Sequence, residues 1–284
     1  MPEKSSNIWK LSTANGARGI DLPDISSLDA ITRQVPQGYY STFRTFDGGK
    51  RVLGLQAHLQ RLYKPATTQR IKPSVQEDKL RQYLVELLDN IRGEAKVRVI
   101  LTKAGQVYVV LEPLKPLAPE IYSNGVKVVT TDVQRENPRI KSTLFISASK
   151  SARAEISRSD NFEALLVRND SILEGITSNF FYVRDGVLGT AQKEILLGVT
   201  RRTVLHIARG SGLGVVYRPL KRKQVSALSE AFLTSSSRGI VPIVQIDVMT
   251  VGEGVPGPVT KKLMDGYQTY VMRHAELINK SPEI

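Results

Sequence analysis

The sequence predicts an α+β protein with two domains. Helical stripes and strand-like runs are segregated along the chain, whereas a doubly wound parallel sheet would need them to alternate. Three prolines in the seven positions from Pro113 to Pro119 exclude a helix or a central strand there and indicate an extended linker. We therefore expect a small N-terminal domain over 1–112, a linker over 113–122 and a larger C-terminal domain over 123–284.

Two turn sequences predict hairpins in the N-terminal part. Asp47-Gly48-Gly49 separates the strand-like runs 39–46 and 50–53. Ala104-Gly105 separates the second pair of runs, at 96–103 and 106–112. Turns rich in glycine between such runs are typical of β-hairpins.

Two helices are expected in the same part. Leu55, Leu59 and Leu62 fall at helical spacing. Ser74 and Glu77 occupy the positions of a capping box, and an apolar stripe follows them over the next turns. The second helix is therefore predicted to begin just after Ser74.

The C-terminal part is richer in short strands. Asp185-Gly186 predicts a hairpin turn, and Pro258 suits the first position of a final helix. Many short strands with few helices favour a barrel-like or sandwiched sheet. The predicted strands are 126–131, 164–168, 179–184, 214–218, 231–235 and 241–246, and the predicted helices are 147–157, 200–209 and 258–274.

The chain is basic, with 40 Lys and Arg against 27 Asp and Glu and a net charge of +13. Such a charge is typical either of a protein that binds nucleic acid or other anions, or of a basic enzyme. The densest run, from Arg218 to Lys223, is short and has Tyr217 as its one aromatic neighbour. With no zinc finger or RNA-recognition signature present, nucleic-acid binding is disfavoured.

Composition excludes several other classes of site. The absence of cysteine excludes disulfide scaffolds, zinc–cysteine sites and cysteine nucleophiles. The three histidines (His58, His206, His274) are widely scattered, so no metal site is expected. The first residues are polar, and no run approaches the ~20 apolar residues of a spanning helix. We expect a cytoplasmic protein that does not enter the membrane.

Two charged residues stand out by their surroundings. Lys141 lies in the segment 138–143, where it has the features of a solvated loop lysine when taken alone. Glu174 is a single carboxylate within the apolar or neutral stretch 172–181. It either faces water at the end of a strand or is buried, and a buried carboxylate would need a cationic partner.

Three further segments could bind an anion. Gly198 precedes a helix with Thr200 at its expected N-cap, where free N–H groups attract anions. Hydroxyl side chains over 234–237 end a predicted strand, and Arg61 follows His58 on one helix face. Each is also compatible with an ordinary cap, turn or surface pair. Together with Lys141 and Glu174, they supply the parts of a pyridoxal phosphate site: a lysine, an acidic partner for the pyridine nitrogen and donors for the phosphate.

The ordered motifs resemble those of the class IV, or fold-type IV, pyridoxal-phosphate aminotransferases. This family includes branched-chain aminotransferase, D-amino acid aminotransferase and aminodeoxychorismate lyase. The matching segments are 38–44, His58-x-x-Arg61-Leu62, Glu174-Gly175-x-x-x-Asn179-x-Phe181, Gly198-Val199-Thr200-Arg201, 230–242 and 252–258. The resemblance implies a small N-terminal α/β sandwich and a larger C-terminal pseudo-barrel domain.

The resemblance also implies roles for matching positions. Lys141 would hold the cofactor covalently and shuttle the proton at the substrate Cα, and Glu174 would pair with the pyridine nitrogen. Tyr40 and Arg98 match positions near the cofactor or the substrate carboxylate. The phosphate would be held by Arg61, the backbone N–H groups of Val199 and Thr200, and the hydroxyls of Ser236 and Ser237.

The expected reaction is ping-pong transamination from an amino acid to a 2-oxo acid by a homodimer with pyridoxal 5′-phosphate. Two alternatives stay open: a lyase of the same fold that cleaves aminodeoxychorismate, and a basic anion- or nucleic-acid-binding protein without catalysis. Leu197 and Ser41 depart from the proline and glutamate usual in the family. These departures leave the substrate open.

Overall fold

The computed structural model describes residues 7–280, which form two compact units. The first unit contains the described residues up to Lys115, the segment Ile140–Ser147 and the described residues from Arg273 onward. The second contains Pro116–Arg139 and Ala148–Met272. The first change of unit, between Lys115 and Pro116, falls inside the proline-rich segment.

The described residues form the following elements. The helices are α1 (Leu28–Arg33), α2 (Leu55–Thr68), α3 (Glu77–Leu88), α4 (Pro119–Asn124), α5 (Leu144–Ala148), α6 (Lys150–Ile156), α7 (Val199–Gly210) and α8 (Pro258–His274), with a 3-10 helix at Arg222–Ala227. The strands are β1 (Ile8–Ser12), β2 (Gly16–Gly19), β3 (Gly38–Arg44), β4 (Arg51–Leu53), β5 (Ala95–Thr102), β6 (Val107–Pro113), β7 (Val126–Thr131), β8 (Glu163–Arg168), β9 (Ser171–Gly175), β10 (Asn179–Arg184), β11 (Val187–Thr190), β12 (Val215–Val216), β13 (Leu220–Lys221), β14 (Glu230–Ser235), β15 (Gly239–Ile246), β16 (Met249–Thr250) and β17 (Ala275–Leu277).

The first unit is built on an antiparallel sheet of order β2-β1-β6-β5-β3. Because side chains alternate along a strand, the sheet has two apolar faces. Tyr39 and Phe43 of β3 pack into a core with leucines of α2 and α3. Tyr40 points to the other face, where it packs with Leu28 of α1 and Ile146 of α5. Helices thus cover both faces, as the predicted sandwich requires.

The hairpin predicted over 39–53 is wrong. Strand β3 pairs with β5 along its whole length, whereas β4 pairs with β17 from the far end of the chain. The strand pairing across the predicted turn is limited to one bridge between Phe46 and Arg51. The hairpin at Ala104-Gly105 is confirmed as β5–β6, with Gly105 at φ +80°.

The capping box predicted at Ser74 is also wrong. Helix α3 begins one residue after its N-cap Gln76, whose side chain makes no capping hydrogen bond. Ser74 Oγ instead donates to the Leu11 carbonyl (2.9 Å) and accepts from the Val107 N–H (3.1 Å). The serine therefore ties the loop before α3 to two strands of the sheet.

The second unit contains a ten-stranded sheet that closes on itself. Its order is β12-β11-β10-β14-β15-β7-β8-β9-β13, with β16 on β15, and β9 pairs back with β10. The six strands β10, β14, β15, β7, β8 and β9 thus form a closed ring, the expected pseudo-barrel. Apolar side chains from one face of these strands form the main core of the unit.

Several local predictions in this unit need correction. The helix predicted over 147–157 is two short helices, α5 and α6, and the strand over 214–218 is reduced to β12. Strands β9, β11, β13 and β16 were not predicted. The turn at Asp185-Gly186 is confirmed between β10 and β11, and α8 begins and ends as expected.

Within residues 7–280, no helix is both long and apolar enough to cross a membrane. The same residues contain no group of three His, Asp or Glu side chains placed to hold a metal ion.

Candidate functional site

Lys141 lies in the first unit, on a segment docked against β3. The Tyr40 N–H donates to the Lys141 carbonyl (2.9 Å), and the Thr143 N–H donates to the Gly38 carbonyl (2.9 Å). These bonds hold the backbone at the lysine and two residues after it. Its Nζ lies 4.8 Å from the centroid of the Tyr40 ring, which is 4% exposed. The structure therefore brings Lys141 and Tyr40 together.

Arg98 lies beside the same tyrosine, and side chains of the first unit hold its guanidinium in place. Its guanidinium donates to Asp29 Oδ1 (2.7 Å) and Thr42 Oγ1 (2.9 Å) and lies 4.9 Å from the Tyr40 ring centroid. This buried arginine thus fastens α1 to the sheet and packs against the ring that lies next to Lys141. A contact between Arg98 and a substrate carboxylate stays a prediction.

Arg61 and His58 lie on α2, as the helical spacing predicts. His58 is fully buried, and its Nδ1 lies 2.8 Å from Ser41 Oγ on β3. Arg61 is half-buried on the same helix. The histidine therefore contacts a neutral hydroxyl at this point.

Glu174 lies where the barrel of the second unit closes. It is the penultimate residue of β9 and pairs with Asn179, the first residue of β10. Its carboxylate is 2% exposed. Oε1 accepts from Arg135 Nε (3.0 Å), and Oε2 accepts from Asn179 Nδ2 (3.2 Å) and the Leu196 N–H (3.0 Å). The expectation that a buried carboxylate here needs a cationic partner is confirmed, because Arg135 supplies that charge.

Arg135 was missed by the sequence analysis. It lies in the loop after β7, where no strand or helix pattern marks it. Its side chain is only 6% exposed, so both members of the pair with Glu174 are buried. The one available signal was indirect: a buried glutamate requires a cation, but the sequence contains 40 candidates.

The start of α7 is linked to Glu174 through Asn179. The N-cap is Gly198, so the prediction of Thr200 at this position is wrong, and no side chain caps the helix. Asn179 Oδ1 accepts from the Gly198 N–H (3.1 Å) while Nδ2 bonds to Glu174. A Cβ on residue 198 would lie 2.2 Å from Asn179 Oδ1, so only glycine fits. Val199 and Thr200 form the buried first turn that follows.

Ser236 and Ser237 lie in a tight turn between β14 and β15. Ser235 pairs with Gly239 across the turn, and Gly239 has φ +70°, a conformation that suits glycine. The two serines are half-buried. Strand β14 runs beside β10, with Thr234 opposite Asn179, so this turn lies next to the hairpin that carries Glu174.

The predicted residues therefore form two groups. In the first unit, Lys141 is with Tyr40 and Arg98, and Arg61 lies on a helix packed against β3. In the second unit, Glu174, the first turn of α7 and the turn of Ser236 and Ser237 surround one end of β10. These are the lysine, the acidic group and the anion donors that the sequence predicts.

Comparison with known proteins places these groups in context. Residues 38–246 match the sequence profile of the family described as amino-transferase class IV. D-alanine aminotransferase of Bacillus licheniformis is 28% identical over 255 residues, which cover 84% of this chain and 89% of that protein. Branched-chain-amino-acid aminotransferase of Pseudomonas aeruginosa is 25% identical over 253 residues, covering 81% and 82%.

A solved structure shows the same fold. The branched-chain amino acid aminotransferase of Thermobaculum terrenum, solved in its PLP form, superposes with a TM-score of 0.77. The superposition covers 96% of this chain and 98% of that one, with 23% sequence identity. The mixed sheets and the pseudo-barrel are therefore those of the fold-type IV enzymes.

Proposed function

Because this chain belongs to the class IV aminotransferases, we infer that Lys141 and Glu174 are the principal groups of a transamination site that depends on pyridoxal 5′-phosphate. The reaction moves an amino group from an amino acid to a 2-oxo acid in two half-reactions. When bound, the cofactor supplies an electron sink for the carbanion at the substrate Cα.

The observation that carries this proposal is the environment of Glu174. Its carboxylate is buried, and each of its partners named above is a donor. Arg135 stabilises the ionised form against the cost of burial. A fixed, ionised carboxylate is the group that keeps a pyridine nitrogen protonated, so the site suits this cofactor.

The donors around the phosphate also fit. The first turn of α7 has no side-chain cap, so we assign the N–H groups of Val199 and Thr200 to the phosphate. The hydroxyls of Ser236 and Ser237 and the guanidinium of Arg61 complete the proposed set. Backbone N–H groups and hydroxyls suit the cofactor phosphate. It must stay in place while the amino group bound at the reacting carbon of the cofactor changes.

We assign Lys141 to holding the cofactor and to moving the proton at the substrate Cα. An amine must be neutral to attack a carbonyl carbon, so its surroundings have to favour the neutral form. Backbone bonds at Lys141 and at Thr143 fix this segment, which limits the positions that the Lys141 Nζ can reach.

Similar proteins are named both for D-alanine and for branched-chain substrates. The amino donor and its L or D configuration are therefore identified by assaying both kinds of amino acid. We also propose the homodimer that the resemblance implies, and the cytoplasmic location stays a prediction.

The relatives do not favour the lyase that releases 4-aminobenzoate and pyruvate. A binding protein without catalysis is disfavoured by the family membership and by the intact Lys141 and Glu174.

A pair of lysine variants tests the assignment. We expect Lys141→Ala to abolish amino transfer from a panel of L- and D-amino acids to 2-oxoglutarate. Lys150→Ala, at the exposed start of α6, should keep wild-type activity. Full transfer activity in Lys141→Ala would refute the assignment, because no other residue is proposed to bind the cofactor covalently or to move the proton at the substrate Cα.

A further inference from the structure

Two turns of the second unit carry groups proposed for opposite ends of the cofactor. The turn between β9 and β10 follows Glu174, and the turn between β14 and β15 holds Ser236 and Ser237. Backbone pairing of β10 with β14 sets the strands side by side but stops at Asn179 and Thr234. The two turns lie beyond this last pair, so the β10–β14 ladder does not join one turn to the other.

Glu163 fastens the first turn. This residue begins β8 and is only 3% exposed. Its Oε1 accepts from the Thr177 N–H (2.6 Å), from Thr177 Oγ1 (3.0 Å) and from Ser178 Oγ (3.1 Å). This one carboxylate oxygen thus accepts three hydrogen bonds from Thr177 and Ser178 and fixes the middle of the turn.

Arg238 reaches the same carboxylate from the second turn. Its Nη2 donates to Glu163 Oε2 (2.7 Å) and to Thr177 Oγ1 (2.7 Å), and its Nε donates to Ser235 Oγ (3.1 Å). The guanidinium also lies 5.1 Å from the centroid of the Phe162 ring. Arg238 directly follows Ser237 in the chain. These bonds therefore fix the backbone of the turn that holds Ser236 and Ser237.

The carboxylate of Glu163 is suited to this task. Burial alone would raise its pKa, but the charge of Arg238 and the hydrogen bonds from Thr177 outweigh that effect and hold the pKa below its ordinary value. The group is therefore ionised at neutral pH, and its bond to Arg238 is a charge-assisted one.

We propose that Arg238 and Glu163 form a brace, a pair of positioning residues that fixes the turn of Ser236 and Ser237 relative to Glu174 and thereby sets the affinity for the cofactor phosphate. The brace rests on the proposed function, which assigns the phosphate to this turn. Neither residue is required to touch the cofactor. Loss of the brace should leave recognition of the pyridine ring intact and weaken recognition of the phosphate.

Binding of two cofactor forms tests the brace. The apoenzyme is titrated with pyridoxal 5′-phosphate and with pyridoxal, which lacks the phosphate. We expect Arg238→Gln to weaken binding of the phosphorylated form by about tenfold or more, as the loss of charge-assisted hydrogen bonds implies. Its affinity for pyridoxal should change by less than about twofold. The double variant Glu163→Gln/Arg238→Gln should bind no more weakly than Arg238→Gln alone.

Arg222→Gln is the matched control, because it removes an exposed ion pair with Asp170 in the same unit. Both of its affinities should equal those of the wild type. If Arg238→Gln does not fold, Arg238→Lys is titrated, since one ammonium cannot replace all the bonds of the guanidinium; the same selective loss is expected.

The outcomes separate the two proposals. An unchanged ratio of the two affinities in the Arg238 variant would overturn the brace, whether or not its melting temperature falls, since a purely structural role moves both affinities together. A wild-type protein that binds neither ligand would contradict the proposed function itself.

Discussion

The pair of Arg135 and Glu174 illustrates how a single residue depends on its partner. Removing two charges from water costs several kcal/mol per ion, and their attraction offsets this only with good geometry and further hydrogen bonds. Glu174 has those bonds from Asn179 and Leu196. The pair is therefore better explained as a device that keeps one carboxylate ionised and fixed than as a source of stability.

Loss of Arg135 should expose that dependence. We expect Arg135→Gln to lower the free energy of unfolding by about 3 kcal/mol or more, because a buried charge is left without its cation. Urea unfolding of the apoenzyme measures the change. Arg168→Gln removes the exposed partner of Glu194 in the same unit and should cost less than about 1 kcal/mol. Equal losses in the two variants would refute the account of this pair.

At the residue scale, the sequence predicts what a side chain requires better than it predicts which residue meets that requirement. The apolar stretch around Glu174 correctly indicates a buried carboxylate that needs a cation. The identity of that cation depends on how the loop after β7 folds back toward the end of β9, which no local pattern records. Thr200 shows the same limit: its type suits an N-cap, but the helix begins after Gly198, whose contact with Asn179 decides the local backbone.

The hairpin of β9 and β10 is the element on which the site of the second unit depends. Gly175 follows Glu174 and leaves no room for a side chain. A Cβ there would lie 2.3 Å from Ser178 Oγ and 2.6 Å from Glu163 Oε1. Both atoms belong to the network around the turn, so neither can yield without breaking hydrogen bonds.

Substitution of this glycine should therefore damage the hairpin. We expect Gly175→Ala to destabilise the protein by about 1–3 kcal/mol, the usual cost of overpacking. Gly210→Ala is the matched control: it ends α7 with no atom within 4 Å of an added Cβ, and alanine favours a helix. Its unfolding free energy should stay level or rise by up to about 1 kcal/mol. A Gly175 variant as stable as the Gly210 variant would contradict this packing.

At the element scale, hairpins with tight turns were predictable and distant pairings were not. The turns at Ala104-Gly105 and Asp185-Gly186 need positive φ, and their sequences provide for it. The Asp47-Gly48-Gly49 turn has the same signal, yet β4 pairs with β17 at Ala275–Leu277. That pairing depends on the return of the C-terminal segment to the first unit, which leaves no trace in local periodicity.

At the scale of the whole molecule, function could be predicted from the order of several weak motifs. Each motif alone is compatible with a solvated loop, a cap or a turn. Their order along the chain matches one family, and the family match over residues 38–246 confirms it. The substrate could not be predicted in this way, because the motifs are shared by relatives that are named both for D-alanine and for branched-chain amino acids.

The central claim is that this chain carries out transamination with pyridoxal 5′-phosphate held by Lys141 and Glu174. The most direct test is the visible absorption spectrum of the reconstituted protein, recorded through one cycle of donor and acceptor. We predict a cofactor band that a suitable L- or D-amino acid bleaches and that a 2-oxo acid restores. A reconstituted protein without such a band, or with a band that no amino acid bleaches, would contradict the claim.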